Sequence, residues 1–138
     1  MASKALKRPA PQTGPRVRVA DPPGQNTQLM TPVFCLAQMR PGHTVSDCDQ
    51  EQRAAFAVAI YERAKMTWLD LTLAPRHGLG LEKIARSSFR VAIPQEITPD
   101  VEFISLRFHG TAPMIGYRNG RTFHILWLDP DFSVYRHS

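Results

Sequence analysis

The sequence predicts an α+β domain: an N-terminal strand, two helices, then a three- to four-stranded antiparallel meander. Three observations carry this. Between residues 48 and 68 large apolar residues recur every four positions, whereas after Phe89 the spacing changes to two. The connections between the later apolar runs are short, which demands antiparallel neighbours. The chain has 138 residues, 43% of them hydrophobic, which suits one packed domain.

The first 28 residues are set apart by composition. They carry Lys4, Lys7, Arg8, Arg16 and Arg18 against Asp21 alone, and five prolines. The net +5 of the chain is therefore +4 on this segment and +1 on residues 29–138. A segment so poor in large apolar groups cannot offset its ordering entropy, so residues 1–28 are expected to be a mobile, disordered basic Pro-rich arm. Residues 29–138 are expected to form the domain. No apolar run approaches the roughly 18 residues that span a bilayer. No apolar stretch follows Met1, so a secretory signal is not expected. Two cysteines, Cys35 and Cys48, make no disulfide framework, and a cytoplasmic location is the expectation.

Val33–Met39, bounded by Pro32 and Pro41-Gly42, reads as a strand. Ser46-Asp-Cys-Asp49 has the form of a capping box and opens a helix over about 48–66, with Phe56, Ile60, Ala64 and Trp68 as its apolar stripe. Thr67-Trp-Leu-Asp70 repeats the cap and opens a shorter helix that Pro75 ends. His77-Gly-Leu-Gly80 reads as a turn, and Leu81–Ile84 as one further helical turn. Arg90–Ile93 is a weak strand. Phe103–His109, Met114–Arg118 and Arg121–Leu128 are stronger, and Ser133–His137 is the last.

Asn119-Gly120 is a hairpin signal, because both residues accept positive φ. A two-residue loop there places Tyr117 opposite Thr122 and Ile115 opposite His124. One side then collects Met114, Phe123, Ile125 and Trp127 as a core face. The other collects Ile115, Tyr117, Thr122, His124, Leu126 and Leu128. A four-residue loop at Asp129–Phe132 puts Tyr135 opposite Leu126 and His137 opposite His124. Alternation in Phe103–His109 sends Ile104, Leu106 and Phe108 to the core and Ser105, Arg107 and His109 to the other side. The expected result is a semi-open sheet face bearing Arg107, His109, Tyr117, His124, Tyr135 and His137.

Such a face suits phosphate chemistry. Cutting RNA through its own 2′-OH needs a base, an acid and a cation for the developing charge. Histidine serves either proton transfer and arginine the charge, while tyrosine can stack on a base. The same groups also suit phosphate binding alone. No HExxH, CxxC, P-loop, GxGxxG or GxSxG is present, so no metal or nucleotide cofactor is expected.

The stretches Arg107-Phe-His-Gly110 and Met114 to His137 resemble the C-terminal part of RelE/ParE-type toxins of bacterial type II toxin–antitoxin systems. Thr67-Trp-Leu-Asp-Leu71 with Gly78-Leu-Gly-Leu-Glu-Lys-Ile84 resembles the helical part of a divergent branch of them. The resemblance covers about residues 32–138. It implies a RelE-like fold and a cytoplasmic toxin that arrests translation and growth as a metal-independent mRNA endoribonuclease associated with the ribosome. It also implies neutralisation by a cognate antitoxin protein. The alternative it leaves open is a ParE-like, non-catalytic inhibitor of DNA gyrase or another replication or translation component. On this reading Arg107, His124, Tyr135 and His137 are the catalytic candidates. Of these, His124 and His137 handle protons and Arg107 the phosphate charge. His109, Tyr117, Arg118, Arg121 and Arg136 are the substrate-binding candidates.

Overall fold

A computed structural model describes residues 26–137. Within them lie five strands, β1 (Val33–Cys35), β2 (Glu82–Ile84), β3 (Phe103–His109), β4 (Ala112–Asn119) and β5 (Thr122–Leu128), and two helices, α1 (Gln50–Arg63) and α2 (Trp68–Leu73). The architecture is α+β. The sheet order is β1-β5-β4-β3-β2, with β1 parallel to β5 and every other pair antiparallel. The expected arm over residues 1–28 lies almost wholly outside the described residues. Residues 26–28 are described, and Thr27–Leu29 forms a 3-10 turn capped by Asn26.

The helices begin where side chains satisfy their first free amides. Asp49 and Gln52 form a reciprocal capping box at α1, three residues later than the expected Ser46–Asp49 box. Thr44 and Asp47 form a separate box on the 3-10 turn before it. Thr67 and Asp70 cap α2 as expected. It stops at Leu73, two residues before Pro75. The buried stripe of α1 is Phe56, Ala59 and Arg63, with Ile60 half-buried and Ala64 exposed. That stripe seats on one face of the sheet, where Ile104, Leu106, Phe108, Met114, Phe123, Ile125 and Leu128 complete the main core with Trp68 and Leu71.

The other face is not open. Phe103, Ile115, Leu126 and Trp127 form a second core there with Ile84, Ile97, Val134 and Tyr135. Its cover is the irregular stretch between β2 and β3, together with the C-terminal segment. Arg86 ties that stretch together, donating to the carbonyls of Ile97 (2.6 Å) and Thr98 (2.8 Å).

Several expectations are corrected. Leu81–Ile84 is not a helical turn, since Glu82–Ile84 pairs antiparallel with β3. Arg90–Ile93 is not a strand. Ser133–His137 does not pair with β5, because both edges of β5 are already filled by β1 and β4. The segment instead bridges Phe89 at Tyr135, with Arg90 N–H donating to Val134 O and Arg136 N–H to Ser88 O. The hairpin loop is Gly120-Arg121, with Asn119 opposite Thr122, so Tyr117 lies opposite His124. That slip moves the pairing by two positions and keeps the faces. A bulge then changes them: Gly116 pairs with Ile125 but Ile115 with Trp127, leaving Leu126 without an opposite residue. Beyond it, Trp127 and Leu128 exchange sides relative to strict alternation.

Candidate functional site

β3 alternates strictly from Phe103 to Arg107, so Ser105 and Arg107 point away from the helices. β2 lies beside them, and Glu82 is the register partner of Ser105. The C-terminal segment crosses the same region because the buried Asp129 carboxylate accepts from Ser133 N–H and Val134 N–H, both at 2.9 Å. Between these elements opens a cleft of about 310 Å³. Arg76, Arg107 and Arg136 reach it with one carboxylate, Glu82, and with Ser105, Phe132, Tyr135 and His137, whereas Lys83, the register partner of Ile104, turns to the helix side and pairs with Glu102 at 3.5 Å. Three guanidinium groups against one carboxylate give the cleft an excess of positive charge, which favours an anion.

Arg107 is held in place. Its Nη1 donates to His77 O at 3.1 Å and its Nη2 lies 3.4 Å from His77 Nδ1. The loop bearing His77 is anchored from within by Arg63, which is 2% exposed. Arg63 donates to Leu79 O (3.1 Å), Gly78 O (3.3 Å) and Ala59 O (3.2 Å). Burial among carbonyls lowers the Arg63 pKa. At Gly80 a Cβ would stand 2.1 Å from Ala74 O, so the loop folds back on the end of α2 only with glycine there. Arg76 is fixed by Glu82 at 2.8 Å.

Tyr135 is 7% exposed and lines the cleft beside Ser105. Burial pushes its phenol pKa up; Ser105 opposes this, Glu82 and Asp129 each add a lesser rise, and Arg107 a lesser fall. The phenol is therefore protonated at neutral pH, a donor and not a base. His137 is exposed, and its ring lies 4.0 Å from that of Tyr135 and 5.1 Å, edge-on, from that of Phe132.

Of the candidate site residues, the structure brings Arg107, Tyr135 and His137 from the expected face to this cleft together with Arg136, which the expected register put on the other side, and places the rest elsewhere. His124 is 1% exposed, enclosed by the sheet and by Tyr117, whose hydroxyl donates to Gln38 Oε1 at 2.9 Å. A substrate cannot reach His124 there, which corrects its assignment as an acid or base paired with His137. His109 leaves the face because the β3–β4 register shifts between Arg107 and His109, and its Nε2 lies 3.0 Å from Glu51 Oε2 on α1. Arg118 stacks over Trp68 at 4.3 Å, donates to Gly120 O and Thr27 Oγ1, and also bonds Gln28. Arg121 donates to Thr31 O and Oγ1, both at 3.0 Å. Both arginines tie the segment before β1 to the β4–β5 hairpin, far from the cleft in the fold. Sequence reasoning gives no role to Arg76, Glu82, Ser105 or Phe132. Ser105 is on the correct face by alternation, whereas the three-residue strand that carries Glu82 leaves no periodicity to read.

Among the described residues no group of three or more His, Cys, Asp or Glu side chains is placed to hold a metal ion. None of their helices is long and apolar enough to cross a membrane. Fold and site together define a small α+β protein with a cationic cleft suited to a phosphate-bearing ligand. No protein-family model, curated protein or solved structure matches the chain.

Proposed function

We propose that the protein is an endoribonuclease of RelE-like type, acting on mRNA as the toxin of a toxin–antitoxin pair. The supporting observation is the convergence of Arg107, Tyr135, Arg136 and His137 in one cleft with Arg76. Growth arrest, the cognate antitoxin, the ribosome and the cytoplasm enter through the resemblance of the Arg107–His137 stretch. In this reading His137 takes the proton of a 2′-OH as its oxygen attacks the adjacent phosphorus. The bond from phosphorus to the 5′-oxygen breaks, and the protonated Tyr135 phenol supplies that oxygen with its proton. Arg107 and Arg136 hold the charge that builds on the phosphoryl oxygens.

Primer extension on total mRNA after brief expression tests this, together with the purified full chain on RNA in EDTA. New 5′ ends in the cell and EDTA-resistant cutting in vitro are expected, both abolished by His137→Ala and Arg107→Ala. Intact RNA in cells that stop growing would return the non-catalytic inhibitor reading.

A further inference from the structure

Phe132 is the only non-glycine residue with positive φ (56°) among the described residues. An aromatic side chain in the left-handed region is strained, and glycine or asparagine would close such a turn without that cost. The turn is over-determined around it. Phe132 N–H donates to Asp129 O at 3.3 Å, and the Asp129 carboxylate fixes the two residues that follow. Burial repays the strain only in part, for Phe132 is 38% exposed. It stands at the cleft that holds Arg107 and Arg136, and meets the His137 ring edge-on at 76°.

We propose that Phe132 is a stacking platform for a nucleobase, so that the cleft takes an unpaired nucleotide with its base on this ring and its phosphate on the arginines. The inference rests on the RNA-cleaving reading and adds the recognition of single-stranded substrate to it. Backbone strain that survives where the surroundings enforce it points to use at a site. An exposed aromatic face beside phosphate-binding cations is what proteins offer to unpaired bases, since bases inside a duplex already stack on one another. Stacking reads the π-face of any base, so the platform sets strandedness more than sequence.

The test is the affinity of the full chain for a fluorescein-labelled, fully 2′-O-methylated single strand, which cannot be cut, and for copies abasic at one position each. Phe132→Leu keeps apolar bulk and backbone strain but removes the π-face. It should weaken binding roughly 5- to 150-fold. Phe132→Tyr and Phe132→Trp should bind like the parent. One abasic position should weaken the parent and leave Phe132→Leu unmoved. Equal affinity of Phe132→Leu and parent, or undiminished abasic sensitivity in Phe132→Leu, overturns the platform and leaves the nuclease reading standing. A parent chain that neither binds nor cuts RNA overturns both.

Discussion

The rings of Tyr117 and His124 stack 4.9 Å apart and 21° from parallel, on adjacent strands where the two residues are register partners. Cys35 on β1 is the parallel partner of His124 from the other side. The imidazole is thus a filler of the second sheet face. This separates it in kind from His137, which is exposed at the cleft. His124→Ala should lower stability by about 2–4 kcal/mol, as large-to-small core changes do. His137→Ala should change it by no more than about 0.5 kcal/mol. Urea unfolding of the two variants checks this, and equal stabilities would contradict the placement of His124.

Gly116 is where the sheet changes face. A Cβ there would stand 1.8 Å from His124 O and 2.8 Å from His124 C, both backbone atoms that cannot swing away. Gly116→Ala must therefore push β5 off β4 at the bulge, at a cost of about 2–4 kcal/mol. Gly78→Ala is the control. Its Cβ would meet only Pro75 O, at an ordinary 3.7 Å, and stability should stay within about 1 kcal/mol of the parent. A well-folded Gly116→Ala variant with unchanged melting would show that the strands can separate there without loss.

The contrast between these two sheet faces explains what could be read in advance. β3 was legible to the residue because Phe103–His109 alternates without interruption up to its last step. The caps of α2 were legible because Thr67 and Asp70 are local partners. The exchange of Trp127 and Leu128 was not legible, since the run Ile125-Leu-Trp-Leu128 is apolar throughout and no polar residue marks the phase after a bulge. Nor was the path of the C-terminal segment, because the occupation of β5 by β1 is a contact across almost 90 residues. Chemistry at the site followed the same division. Arg107 lay on a strand whose phase was clear. Tyr135 and His137, with Arg136, reach the cleft through the pairing with Ser88–Arg90 and not through the hairpin that a four-residue loop at Asp129–Phe132 predicts.

Tyr135 gives the fold a dependence on alkaline pH. Its folded pKa lies above the ordinary value of 10.0, chiefly through burial, so the fold prefers the protonated phenol. The sign follows from linkage. The stability this group contributes is complete below the unfolded pKa and is lost as pH rises through the folded one. The parent should lose stability above about pH 10 more steeply than Tyr135→Phe. Urea midpoints across this range measure the two slopes, and parallel curves would show that the alkaline loss originates elsewhere.

Asp129 and Asp131 flank Pro130 in the same turn, yet only the first organises the site. Asp129 is fully buried, and its two oxygens accept from Ser133 N–H, Ser133 Oγ (3.2 Å) and Val134 N–H. Asp131 is exposed. In Asp129→Asn one acceptor becomes an NH₂ group. Whichever way the amide turns, a backbone N–H then faces a donor instead of an acceptor, at a cost of about 1–3 kcal/mol. The loss is local to the segment that carries Tyr135, Arg136 and His137. Amide hydrogen exchange should therefore quicken at Ser133 and Val134, and next at Arg90 and Arg136, whose bonds join the segment to the stretch after β2. Amides in β3 and β4 should keep their protection. RNA cutting should fall in the same variant although no cleft side chain has changed, while Asp131→Asn should leave both exchange and cutting as they are. Uniformly faster exchange over the whole sheet would show that Asp129 supports the fold at large and not the placement of the C-terminal segment.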